Sequence, residues 1–152
     1  MPEWKHPDEL DRLAASGSAG PARSRASPAE VVMALNKALV TGRLERIPRK
    51  PGHRDILLAL LCLHMRRRYP YTELEINGYL KEALKIMGAV VDHVTCRRHL
   101  VDFGFLKRDR AGNRYLLNYR KITSTLSDEA LSSADVLLKE VVGTHAVPQQ
   151  IS

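Results

Sequence analysis

The side chains best suited to chemistry crowd into CRRHLVDFGFLKRDRAGNRYLL, Cys96 to Leu117. Lys107, Arg108, Arg110 and Arg114 surround one acid, Asp109, on a stretch that reads as a hairpin. Four cations on so small an element suit contact with phosphate in a nucleic-acid groove. The same charges would also protect an exposed sheet edge. Just upstream stand Arg97 and Arg98. At about 100° per residue on a helix, Val94, Cys96, Leu100, Val101 and Phe103 share one broad arc, with His93 and Arg97 inside it. Thr95, Arg98, His99 and Asp102 lie opposite. Arg97 therefore points at the protein and needs a partner, since a buried unpaired charge is expensive; Glu73 or Glu75 is the candidate. Arg98 faces out, either as a nucleic-acid contact or as a solvated charge held by Asp102 at i+4. Asp92 and Asp102 would repel phosphate, although Asp92 is also a good N-cap.

Other reactive groups give less. His93, Cys96 and His99 are spaced three apart, which fans them over about 240° of a helix and prevents them from meeting on one ion. Cys62 with His64 is no better, so no metal site and no cofactor are expected. There is no phosphate loop, no Gly-x-Ser-x-Gly and no dinucleotide fingerprint. Nothing in the pattern brings two carboxylates into a cleft. The residues supply no positive argument for an enzyme.

The elements that must position these groups are mainly helical. Ser27-Pro28-Ala29-Glu30 is a capping box with proline at the first helical position. Val31, Leu35 and Leu39 follow at helical spacing, and Gly42 fits the stop. Arg43, Arg46, Arg49 and Lys50 then lie on a segment broken by Pro48 and Pro51, either a basic arm along a phosphate backbone or a connector. Asp55 to Arg67 reads as a helix apolar nearly all round, hence central. Arg66, Arg67 and Arg68 would end it with favourable charge. Thr72-Glu73-Leu74-Glu75 is a second capping box, opening a helix to about Ile86 that buries Ile76, Tyr79, Leu80, Ala83 and Leu84. The next helix, about Asp92 to Phe103, ends at Gly104. Phe105–Arg108 and Arg114–Leu117 pair around the loop 109–113. Ser127 caps a last helix with the stripe Leu131, Ala134, Leu138 and Val141. That narrow stripe must be covered, by a second copy of the chain or by the core, and a homodimer contact is the preferred reading.

Three compact helices and then a hairpin form a winged helix-turn-helix, here a mainly α fold with a small β-hairpin and additional N- and C-terminal helices. Residues 1–27 read as a flexible segment, within which Pro7–Ala15 could make a short helix. Residues 28–142 read as one domain and 143–152 as a frayed end.

Bulk properties agree with this outline. The chain has 152 residues, 44% hydrophobic, with a formal charge of +7. Between Arg43 and Lys121 stand 18 basic and 8 acidic side chains, so the middle of the chain holds the whole positive excess. Aromatic residues make up only 5%, which argues against base stacking on an aromatic platform. Two cysteines in apolar patterns suit a reducing compartment rather than a disulfide framework. With no membrane span and no leader pattern, a cytoplasmic protein is expected.

Several of these stretches also resemble one bacterial family, the domain of unknown function 2087. The resemblance rests on Gly42-Arg43-Leu44, Tyr71-Thr72-Glu73-Leu74-Glu75-Ile76-Asn77, Arg97-Arg98-His99-Leu100-Val101-Asp102, Gly104-Phe105-Leu106-Lys107-Arg108 and Gly112-Asn113-Arg114-Tyr115. It covers about residues 42–117. Cys96 stands where the family pattern has leucine, and the 85–91 linker differs. The resemblance implies a winged-helix-like fold. Since some members are fused to transcription-regulator domains, it points to DNA by association only.

The expectation is a protein that binds double-stranded DNA, as a transcription regulator would. The hairpin and basic arm would contact phosphate, and Thr95, Arg98 and His99 would face the bases. The rival expectation is a winged-helix module for protein interaction or assembly.

Overall fold

The computed structural model describes residues 25–39, 42–111 and 113–145. Among these the elements run α1 (Pro28–Ala38), α2 (Pro51–Leu61), β1 (Tyr71–Thr72), α3 (Glu73–Ile86), α4 (His93–Asp102), β2 (Leu106–Arg108), β3 (Arg114–Leu117), α5 (Tyr119–Thr125) and α6 (Asp128–His145). The stretch Pro7–Ala15 lies outside the described residues.

Both capping boxes form. Ser27 Oγ accepts from the Glu30 amide at 3.2 Å while Glu30 Oε1 accepts from the Ser27 amide at 2.9 Å. Thr72 and Glu75 do the same at 3.1 and 2.9 Å. Two orphan donors are satisfied at each helix start.

Helix α2 departs from expectation at both ends. It starts at Pro51, with the proline as its first helical residue rather than as a breaker, and it stops at Leu61. Tyr79 of α3 explains the stop: its hydroxyl donates to the Leu61 carbonyl at 2.6 Å and accepts the His64 amide at 3.3 Å. It thereby takes a bond that a further turn would need. Arg66, Arg67 and Arg68 consequently do not end a helix. Arg66 and Arg67 lie over the rings of Tyr69 and Tyr119 at 4.7 and 4.0 Å, as cation–π contacts. Residues Ile56 to Leu61 are all buried, so the helix is central, as its uniform apolarity requires.

The three strands form one antiparallel sheet in the order β1-β3-β2. Tyr71 pairs with Tyr115 and Thr72 with Arg114, while Leu106, Lys107 and Arg108 face Leu117, Leu116 and Tyr115. Strand β1, only two residues long, anchors the start of α3 to the hairpin. Gly104, at φ 87°, turns the chain from α4 into β2 in a conformation that other residues adopt at a cost. Helix, strand, helix, helix and hairpin, α2 through β3, constitute the winged helix: α3 is the positioning helix, α4 holds the recognition-helix place, and β2–β3 is the wing.

The flanking helices complete one core. Helix α1 packs along α6, burying Val31, Ala34 and Leu35 on one side and Ala130, Ala134, Leu138 and Val141 on the other. The apolar stripe of α6 is thus covered within the chain. Residues before Pro28 take part in the fold: Ala26 is buried and bridges Leu126, and Arg25 pairs with Asp128 at 2.6 Å. Helix α6 runs to His145, three residues past Val142.

Candidate nucleic-acid interface

Helix α4 begins where Asp92 Oδ1 accepts the Thr95 amide at 2.8 Å. Its inward face carries Cys96 and Leu100, both with no exposed surface. Arg97 follows them inward with 17% of its side chain exposed; its Nη1 donates to Asn77 Oδ1 and sits 3.7 Å from Glu73 Oε2. The expected carboxylate at the start of α3 is there. Asn77, one turn along from Glu73, is a second partner that a search for carboxylates misses, although the i, i+4 spacing puts it on the same stripe. Arg97 also lies 5.6 Å from the Tyr115 ring, which Arg108 approaches from the wing at 5.8 Å. One aromatic ring therefore joins α4 to the wing.

The residues expected to face bases are not alike. Arg98 is exposed and has no ion pair among the described residues; of the two alternatives for it, the pairing with Asp102 does not form. The Thr95 hydroxyl donates to Asp92 Oδ2 at 3.1 Å. His99 Nδ1 lies 2.9 Å from the Thr95 carbonyl, and its ring rests 5.8 Å from that of Phe103. Thr95 and His99 are half-buried and turn these polar atoms onto their own helix. Val94, assigned to the inward arc, is 41% exposed, because the arc is broader than the surface available to cover it.

On the wing, Arg108, Arg110 and Arg114 are exposed and Lys107 is half-buried. The turn is held locally: the Asp109 amide donates to the Arg114 carbonyl at 3.1 Å, and Asp109 Oδ1 accepts the Asn113 amide at 2.6 Å. Asp109 is thus engaged in shaping the turn. The expected basic arm is no free arm. Leu44 and Ile47 are buried in the core, and the Leu44 carbonyl accepts the Val90 amide at 2.9 Å. Arg43, Arg46, Arg49 and Lys50 remain on the surface of this anchored segment. At the other end of α4, Arg54 of α2 stacks on Phe103 at 3.7 Å while bonding Asp55 at 3.1 Å.

Two acids border this surface in ionised form. The Thr72 amide, then the Tyr69 hydroxyl, holds Glu75 below the usual carboxylate range, with a smaller contribution from Arg114. The Thr95 amide does the same for Asp92. The thiols move the other way. Burial pushes Cys96 up to about 12 and Cys62 higher still, so both are neutral and poorly nucleophilic at neutral pH. Among the described residues no group of three His, Cys, Asp or Glu side chains could hold a metal ion. No helix among them is long and apolar enough to cross a membrane.

The arrangement of α2 through β3 is a winged-helix-like fold. Residues 43–117 match the bacterial family described as "Uncharacterized protein conserved in bacteria (DUF2087)", and that segment belongs to it. The match begins just after α1 and ends with β3, so it takes in the winged helix and leaves out α1, α5 and α6. No curated protein and no solved structure matches the chain significantly.

Proposed function

We propose that the protein binds double-stranded DNA through α4 and the wing, in the manner of a transcription regulator. The observation that carries this reading is the exposure of Arg98 on α4 together with Arg108, Arg110 and Arg114 on the adjoining wing. Wing cations would contact phosphate and set the register of α4 on the duplex. Arg98 would reach base edges, where an arginine fork matches guanine. With Thr95 and His99 turned onto their helix, few side chains are left to read sequence, and most of the affinity would come from phosphate.

The test is a titration of duplex DNA at two salt concentrations. Binding through phosphates weakens steeply with salt, in proportion to the number of phosphates neutralised. Salt-independent binding, or none, would refute the reading.

A second reading, a protein-interaction module, draws on a different observation. Ile86, Val90 and Val94 are 61%, 52% and 41% exposed around the α3–α4 turn. Apolar surface there is of little use for phosphate and suits a protein partner.

A further inference from the structure

A cleft of about 340 Å³, lined by no wing residue, lies between the end of α1, the segment 43–48 and the first turn of α2. Its polar wall is strongly basic: Lys37 from α1, Arg43 and Arg46 from the segment, and His53 from α2, with Glu45 as the one acid. Lys50, the residue before α2, acts on the same site, since burial first, then Lys50 and Lys37, hold the His53 imidazole below its ordinary range. Lys37, Arg43 and Arg46 therefore converge from two elements, with a neutral imidazole beside them and one carboxylate, Glu45, in the same wall. The remaining wall is apolar, with Ala38 and Pro48 half-exposed on it. Its volume sits at the lower end of small-ligand sites, which are typically about 300–1,000 Å³.

We propose that this cleft binds a phosphorylated small molecule, with Lys37, Arg46 and His53 on its phosphate and the carbon skeleton against Ala38 and Pro48. Charge selects an anion, and lysine and arginine side chains form their strongest hydrogen bonds to phosphate oxygens. The apolar floor selects an organic phosphate over a bare ion. A half-open cleft that gathers its cations around a small volume differs from the wing, whose arginines lie exposed along a hairpin. The site stands independently of whether the wing binds DNA.

Two probes test it on the full chain by NMR: inorganic pyrophosphate, and adenosine diphosphate to engage the apolar floor. Both are expected to shift the Gly52 and His53 resonances saturably and to raise the His53 pKa. The nucleotide should bind more tightly. Lys37 and Arg46 are exposed, so the double change Lys37→Ala/Arg46→Ala should keep the fold, checked by an unchanged circular dichroism spectrum. It should weaken both probes about tenfold or more, whereas Arg120→Ala should have no effect. Shifts that never saturate, or that sulfate reproduces at equal ionic strength, would overturn the proposal. So would saturable shifts of the same resonances by duplex DNA competing with pyrophosphate, because the cleft would then hold backbone phosphate.

Discussion

Arg97 and Arg98 are adjacent, yet the helix sends one inward and the other out. Arg97 donates to Asn77 and lies near Glu73, whose side chain is 59% exposed. An ion pair that open to water contributes under about 1 kcal/mol. The bond to Asn77 in a half-buried setting contributes more, on the order of 1.5–3 kcal/mol for a charged donor. Arg97→Ala is therefore expected to destabilise the fold by about 2 kcal/mol, and Arg98→Ala to stay within about 0.5 kcal/mol. Chemical denaturation of the two variants checks both, and equal effects would place α4 in the wrong register. Acid sensitivity belongs to the same scale. Glu75 and Asp92 have lowered pKa values in the folded state, so what they add is present above the unfolded carboxylate range and lost as the pH falls through their folded values. Melting temperature should decline as pH drops below the ordinary carboxylate range, and Asp92→Asn, which keeps a capping oxygen, should blunt that decline. A decline of the same depth in the variant would remove Asp92 from the account. The inward course of Arg97 was legible because one wheel decided it. Asn118 was not: it is 7% exposed, and its Nδ2 donates to the Gly104 carbonyl at 2.8 Å. Nothing local marks an asparagine after a strand as the bond that fastens it to the helix stop 14 residues back.

At the level of elements, what could be read followed the strength of local signals. Helices α1, α3, α4 and α6 had caps and an apolar stripe, and the strands of the wing flanked a glycine-containing turn. Strand β1 is two residues long and exists only because β3 lies beside it. Helix α5 buries only Ile122 and has no side-chain cap, so no periodicity announced it. The displaced end of α2 depends on Tyr79, a residue 18 positions beyond Leu61 whose role tertiary packing decides. Helix α6 had a readable stripe, but its cover was not readable: the stripe lies on α1, across the whole domain in sequence. That packing carries a prediction. Leu138 is 9% exposed against α1, and Leu138→Ala should cost about 2–3 kcal/mol, near the low end for a core leucine. Truncation after Leu126 would uncover Val31, Ala34 and Leu35 together. The shortened chain should lose its cooperative melting transition, and light scattering should show the parent at the mass of one chain at micromolar concentration. A parent of doubled mass, halved by the truncation, would instead assign α6 to a dimer contact.

For the whole molecule the issue is whether the positive middle of the chain acts as one surface or several. The anchored segment 43–50 does not reach out as an arm; it is bonded to the α3–α4 turn and bears on the cleft. The wing carries its exposed arginines elsewhere, and Arg98 joins them from α4 without a carboxylate partner among the described residues. On the wing Lys107, Arg108, Arg110 and Arg114 stand against one acid, Asp109, whereas Arg98 shares its helix end to end with Asp92 and Asp102. Phosphate affinity should therefore reside in the wing more than in the helix. Changing Arg108, Arg110 and Arg114 to alanine is expected to weaken binding to all duplexes alike. It should also flatten the dependence of log affinity on log salt by up to about one unit for each phosphate that no longer meets a cation. Fold stability should change little, since all three side chains are exposed. Arg98→Ala should have a smaller effect on affinity and a larger one on any preference among sequences, because an exposed arginine on α4 is placed for base edges. Fluorescence anisotropy with two unrelated duplexes, each at two salt concentrations, separates these effects. A triple variant that keeps the parent's affinity and salt slope would leave the wing charges as a solvated edge. It would also move attention to Ile86, Val90 and Val94, whose apolar surface a protein partner would cover.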